Sequence, residues 1–260
     1  MVDPFEAYNL FVYDSVLILD VSATRAQLLP GAAYCEQPSD KPLLAAAAEA
    51  RMDVLERCTP DDASTCLILF ANGERVRAET VSAWLLDGLC RCVLCVDRTA
   101  MVAKYGFLFA PSMALTTAYP NEISVGLYLG SAASANKVAL DSLQITHVVS
   151  VVERNLEPPA GRKHLLCQIP DSDEADIGSV ISLALPFISE AVQGGGRVLV
   201  HCERGASRSV SVVLAHLPSV DRTLKLVEAL DFVKSQRPCA QPNAGCLRHL
   251  EETCKESPRS

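Results

Sequence analysis

Along the first 110 residues, short apolar runs alternate with stretches of helical period. Residues 16–20 (Val-Leu-Ile-Leu-Asp), 65–70 (Thr-Cys-Leu-Ile-Leu-Phe) and 92–96 (Cys-Val-Leu-Cys-Val) are runs of strand length. Between them, residues 43–58 are Ala-rich with helical spacing, and 77–89 repeat that pattern. A repeated β–α–β order predicts a parallel sheet covered by helices. Residues 111–121 break the pattern with Pro111 and Pro120 and predict a linker. The alternation then resumes. A strand is predicted at 125–129, a helix at 136–143, and strands at 147–152 and 164–169. A long apolar helix at 177–193 is closed by Gly194-Gly195-Gly196, a strong C-terminal stop. A strand at 197–201 and helices at 209–217, 223–235 and 245–255 complete the chain, with Asn243 as N-cap of the last.

Composition narrows what such a chain can be. Its 260 residues and 49% apolar content suit two α/β domains, assigned as 1–113 and 121–255 with a linker at 114–120. A net charge of −8 argues against a broad nucleic-acid- or membrane-binding face, and no such partner is expected. The eleven cysteines are odd in number and irregular in spacing. The first twenty residues carry Asp3, Glu6, Asp14 and Asp20 with no Lys or Arg, so no secretory or transit leader is expected. Together these features predict free thiols in a reducing compartment, with the cytoplasm favoured and mitochondrion or nucleus left open. Cys90, Cys92 and Cys95 lie in a strand-like run with no matching second cluster, and the five histidines show no ligand spacing. No metal and no cofactor is expected.

One stretch carries chemistry. His201-Cys202-Glu203-Arg204-Gly205-Ala206-Ser207-Arg208-Ser209 follows a strand and precedes a helix. A tight loop there turns backbone N–H groups and a helix N-terminus toward an enclosed anion. The candidate phosphate-binding positions are Glu203, Arg204, Gly205, Ala206, Ser207 and Arg208. Cys202 is the candidate nucleophile, its thiolate favoured by the same N–H groups. Arg208 offers a planar fork that matches phosphate oxygens. Gly205 allows the turn. Ser209 can hydrogen-bond the sulfur and help it leave, and His201 is expected to fix loop geometry. Expulsion of an alkoxide or phenoxide needs a proton, and the acidic run Asp171, Asp173, Glu174 and Asp176 offers candidates that spacing alone does not separate. Cys167 is a possible disulfide partner for Cys202.

This loop resembles the His-Cys-x5-Arg-Ser/Thr signature of cysteine-dependent protein phosphatases, and Ser207-Arg208-Ser209 resembles its dual-specificity branch. The resemblance extends over about residues 120–255. Residues 123–131 look like the opening strand, 143–149 like the following helix-to-strand segment, and Arg237-Pro238 with Pro242-Asn243 like the family's ending. It implies a general acid six residues before Ile177, which is Asp171, with Asp173 second. It also implies hydrolysis of phosphotyrosine and phosphoserine/phosphothreonine through a phosphocysteine intermediate, with phosphoprotein substrates. Glu203 beside the nucleophile disfavours highly anionic lipid headgroups. The family's Tyr-Leu-Met is replaced by His216-Leu217-Pro218, so Pro218 is expected to end that helix early.

The first half resembles a rhodanese-like domain. Residues 16–21 look like its first strand, 67–71 like the lead into its active-site loop, and 97–109 like its closing segment. The loop at 71–78 holds no cysteine, which implies a non-catalytic domain. Rhodanese-like plus dual-specificity phosphatase is the layout of MAP kinase phosphatases. It makes a MAP kinase a candidate partner and Arg51, Arg57, Arg75 and Arg77 candidate docking cations, or ordinary solvated arginines. Residues 119–123 resemble the serine/threonine/tyrosine-interacting-like proteins, some of which are pseudophosphatases. A phosphoprotein-binding scaffold is therefore the alternative reading.

Overall fold

The computed structural model describes residues 3–13, 17–20, 33–34, 65–70, 92–105 and 118–256, with side chains at 3–9, 95–105 and 118–253. The chain divides into two compact units, Met1–Thr116 and Thr117–Ser260.

In the first unit, helix α1 (Pro4–Tyr13) precedes strands β1 (Leu17–Asp20), β2 (Ala33–Tyr34), β3 (Thr65–Phe70) and β4 (Cys92–Asp97), with helix α2 (Arg98–Tyr105) following. The strands run parallel in the order β2-β1-β3-β4, as the alternating apolar runs predicted. Asp97 ends β4 and starts α2, its carboxylate accepting from the N–H groups of Thr99 (2.7 Å) and Ala100 (3.2 Å). Tyr8 and Tyr105 stack at 4.3 Å and are both buried. The helices predicted at 43–58 and 77–89, the loop at 71–78 and the four arginines lie outside the described residues.

The second unit is a five-stranded sheet in the order β5-β6-β9-β7-β8. Strands β5 (Asn121–Ser124) and β6 (Leu127–Ser131) pair antiparallel, and every other pairing is parallel. One strand was expected at 125–129. Instead Val125 and Gly126 make the turn of a hairpin, with Gly126 at φ 79° and Val125 85% exposed. A 3₁₀ turn (Ala132–Ala135) leads to α3 (Lys137–Ser142), capped by Asn136, whose side chain accepts from Ala139 N–H at 2.9 Å. Strands β7 (His147–Val152) and β8 (Lys163–Gln168) follow.

Helix α4 (Ile177–Gln193) has the bounds its sequence predicted. Asp176 caps its start by accepting from Ser179 N–H at 3.1 Å. At its end Gly195, at φ 75°, donates to Val192 O while Gly196 donates to Ala191 O, the paired bonds of a Schellman stop. Strand β9 (Val198–Cys202) is buried at every position.

Helix α5 (Arg208–Val220) contradicts one expectation, because Pro218 does not end it early. The proline sits in the last turn, where its missing N–H forfeits one helical bond. The helix then closes through Asp221 N–H to Leu217 O (3.0 Å) and Ser219 Oγ to His216 O (2.7 Å). Helix α6 (Leu226–Gln236) starts three residues later than predicted, because Asp221 instead accepts from Thr223 N–H (2.9 Å) in a local turn. Helix α7 (Ala244–Glu256) ends the described chain.

Alternate strand residues face the helices. Leu127 and Leu129, Val198, Val200 and Cys202, Val149 and Val151, and Cys167 all join one buried cluster with Ile177, Ile181, Val213 and Leu250. The cysteine at the end of β9 therefore emerges on the helical face, directly ahead of α5. Among the described residues no helix is long and apolar enough to cross a membrane, and no group of three or more His, Cys, Asp or Glu could hold a metal ion.

Candidate active site

Cys202 ends the buried central strand β9 and is 1% exposed. The five residues after it have their carbonyls engaged away from the sulfur. Glu203 O accepts from Ala132 N–H (3.2 Å), Arg204 O from Arg237 Nη2 (3.3 Å) and Gly205 O from Arg237 Nε (2.7 Å). Ala206 O accepts from Gln241 N–H (2.7 Å) and Ser207 O from Ser211 N–H (2.9 Å). Among the described residues no peptide bond is cis. In a trans peptide the C=O and the next N–H point in opposite directions, so five outward carbonyls aim the N–H groups of residues 204–208 inward. Gly205 has φ 69°, and a side chain there would meet Gly130 O at 2.5 Å. Only glycine gives both that turn and that closeness to β6.

Sulfur is the inward target. Gly205 N–H and Ser209 Oγ each donate to Cys202 Sγ at 3.2 Å. Burial pushes the Cys202 thiol up. Donation from the Ser209 hydroxyl and from the N–H groups of Ser209, Gly205 and Ser207 outweighs burial and holds it below its ordinary value. Burial pushes the thiols of Cys167 and Cys246 up, and at Cys246 the hydroxyls of Ser211 and Ser207 do not offset it.

Arg208 opens α5 and is 5% exposed. Its Nη1 donates to Ile169 O at 3.0 Å, and its Nη2 lies 3.5 Å from Asp171 Oδ2. Its Nε is buried with no hydrogen-bond partner, which leaves a charged donor for an anionic oxygen.

The structure separates the acidic candidates that spacing left equal. Asp171 faces Arg208 and also accepts from Asn243 Nδ2 at 3.3 Å. Asp173 is turned away. Its carboxylate accepts from Gly245 N–H at 3.2 Å, in the first turn of α7, and its carbonyl from Arg248 Nη2. Asp176 is spent on capping α4.

Two further expectations concern Glu203 and Cys167. Glu203 points its carboxylate toward Arg154 Nη2 (3.5 Å) at the surface, so its charge is partly offset there. Cys167 stands opposite Val151 on β8, while β9 reaches Cys202 one residue past the His201–Ser150 pair. The two cysteines are thus two strands apart, ~9.6 Å between backbones. That exceeds the ~7 Å limit for a disulfide without backbone movement.

His201 is buried and accepts from or donates to Ser150 Oγ at 2.7 Å, and Ser150 Oγ in turn meets His164 Nε2 at 2.9 Å. His201 Nδ1 is 3.4 Å from Cys202 O. Burial pulls its pKa down to about 4, so the ring is neutral and braces the strand end. Sequence reading missed Arg237 and Gln241 as supports of the loop, and Ser150 and His164 behind it. Asn243 was read as a cap and as part of the family's ending, not as a partner of the site. It caps α7 by accepting from Cys246 N–H (2.8 Å) and donates through Nδ2 to Asp171, while its backbone N–H donates to Ser207 Oγ (3.0 Å).

Residues 127–256 match the model of the dual specificity phosphatase catalytic domain. The chain belongs to the dual specificity phosphatase family. Dual specificity protein phosphatase 1 of Arabidopsis thaliana is 40% identical over 136 residues, which cover 51% of this chain and 68% of that protein. Human dual specificity protein phosphatase 5 is 40% identical over 133 residues, 50% of this chain but 34% of that protein. A rhodanese domain-containing dual specificity protein phosphatase of Dictyostelium discoideum is 37% identical over 137 residues, 52% of this chain and 29% of that protein. Among solved structures, DUSP15 superposes with a TM-score of 0.51 at 30% identity, covering 53% of this chain and 88% of that one. These dual specificity phosphatases match about half of the present chain.

Proposed function

We propose that the second unit hydrolyses phosphate monoesters on proteins, phosphotyrosine as well as phosphoserine and phosphothreonine, through a phosphocysteine intermediate. The observation that carries this reading is the loop after β9, with five carbonyls bonded outward around one buried cysteine whose thiol is depressed. The inward N–H groups and Arg208 bind the phosphoryl oxygens and hold them through the transition state, where charge spreads over those oxygens. The Cys202 thiolate attacks phosphorus in line. Asp171, half-exposed and 3.5 Å from Arg208, protonates the leaving oxygen. In the second step water attacks the phosphocysteine, Asp171 takes its proton, and the Ser209 hydroxyl stabilises the departing thiolate.

That relatives such as the Arabidopsis and human proteins are dual specificity protein phosphatases supports the phosphoprotein substrate class, with a MAP kinase as one candidate. The parallel sheet of residues 17–97 supports a rhodanese-like first domain (1–113, joined by 114–120), which has no cysteine in the loop at 71–78 and serves as a docking module. A cytoplasmic setting is part of the same reading. The test is turnover of phosphotyrosyl and phosphothreonyl peptides by the full chain in the presence of a chelator. Hydrolysis of both, abolished in Cys202→Ser, is expected, and no turnover by the natural chain would sink the reading.

A further inference from the structure

Behind the loop, Arg237 makes three side-chain hydrogen bonds while only 8% exposed. Its backbone is pinned as the C-cap of α6, its N–H donating to Val233 O at 2.8 Å. Its Nη2 donates to Arg204 O (3.3 Å), its Nε to Gly205 O (2.7 Å) and its Nη1 to Asn121 Oδ1 (2.7 Å). Arg204 O shares a peptide plane with Gly205 N–H, which donates to Cys202 Sγ, and Gly205 O shares one with Ala206 N–H. Pulling both carbonyls outward therefore aims two consecutive N–H groups at the sulfur and the anion.

The other partner matters as much. Asn121 is fully buried on β5 and neutral. Among the described residues no carboxylate pairs with Arg237. A buried guanidinium usually meets a carboxylate, which would cancel its field. Here the third arm of the fork is held by an amide, and no carboxylate among the described residues comes within ion-pair distance of the guanidinium.

We propose that Arg237 is a positioning residue for this reaction, aiming the 204–205 and 205–206 peptides, and that Asn121 holds it while leaving its charge to the bound phosphoryl group. This rests on reading residues 202–208 as a phosphate loop. The fork geometry explains why lysine is not equivalent, since one ammonium cannot reach two carbonyls and an amide in a plane.

The test uses the full chain, with inorganic phosphate as the probe for binding and an aryl phosphate for turnover. Arg237→Met should lower phosphate affinity and kcat/KM by roughly 10- to 100-fold, the range for losing a charge-assisted pair of hydrogen bonds. Arg237→Lys should restore phosphate affinity to within a few-fold but leave kcat depressed, because the charge returns without the fork. Asn121→Asp keeps an acceptor for Nη1, so Tm should hold or rise while phosphate binding weakens several-fold. Natural phosphate affinity and natural kcat in both Arg237→Lys and Asn121→Asp would overturn the proposal and make Arg237 a packing residue. These two variants decide the matter if Arg237→Met does not fold. Phosphate binding by the natural chain without turnover would count against the proposed activity, and the affinity series would still judge Arg237.

Discussion

The loop carrying Cys202 and the loop carrying Asp171 serve one site and are built in opposite ways. Residues 202–208 are walled in by β6, by Arg237 and by residues 241–243, with each carbonyl from 203 to 207 taken. Residues 170–176 lie largely exposed, and Asp171 is tied by two side-chain contacts, to Arg208 at 3.5 Å and Asn243 at 3.3 Å. The side chain of Arg208 is 6% exposed and that of Asp171 is 38%. A group that must meet developing charge needs donors fixed before the substrate arrives. A group that delivers a proton to varied leaving oxygens is better placed on a segment open to substrate. Changes in the first loop should therefore cost nearly everything, and changes in the second a part that depends on the leaving group.

The largest effect expected is that of Cys202→Ser. A serine hydroxyl is not ionised by donors that hold a thiol below its ordinary value, so aryl phosphate turnover should fall ~10⁴-fold or more while phosphopeptide binding persists. Arg208→Lys comes next. It removes the fork and the unpartnered Nε while keeping the charge, and kcat should fall by about 10²- to 10³-fold. A loss under tenfold in either variant would break the idea that this loop is an all-or-none device.

Asp171→Asn tests the other side. Proton delivery is worth roughly 10²- to 10⁴-fold, so the loss should lie in that range for a phosphoserine peptide. It should shrink for p-nitrophenyl phosphate, whose leaving group needs little help. Equal losses on both substrates would remove Asp171 from the acid role.

The helices and strands were legible where a local signal marks both ends. Helix α4 was read to the residue, because Asp176 and the three glycines at 194–196 punctuate an unbroken apolar period. The β5–β6 hairpin was missed, since an exposed Val125 in its turn extends the apolar run. The site was legible in the same partial way. Cys202, Gly205, Arg208 and Ser209 fall within one short stretch of the sequence, and chemistry needs them in that order. Arg237 and Asn121 are 116 residues apart in sequence, and neither has a local reason to be polar or buried. The sheet order, which sets β6 between β5 and β9, brings Asn121 near the loop, and the packing of α6 on β5 brings Arg237 to it.

A smaller effect lies in pH dependence. Ser209→Ala removes the hydroxyl that donates to Cys202 Sγ, so burial regains weight and the thiol pKa rises. The thiolate fraction at a given pH falls. The ascending limb of the kcat/KM profile should shift to higher pH, and alkylation of Cys202 by iodoacetamide at neutral pH should slow several-fold. An unmoved limb would mean that the backbone N–H groups suffice.

The smallest effect separates the two aspartates of the acidic loop. Asp173 carries no chemistry in this geometry. It accepts from Gly245 N–H at 3.2 Å, and a side chain on Gly245 would run into the Asp173 backbone at 1.9 Å, so the loop is seated on the first turn of α7. A carboxylate there satisfies one orphan donor of the helix and meets the positive end of its dipole. Asp173→Ala should therefore cost about 1 kcal/mol of stability, a Tm decrease of about 2–4 °C, with turnover changed by less than ~10-fold. Asp171→Asn should do the reverse, leaving Tm near its natural value while turnover collapses. If Asp173→Ala instead abolished turnover at unchanged Tm, the assignment of the two aspartates would have to be exchanged, and with it the claim that one end of this loop works on substrate while the other anchors it to α7.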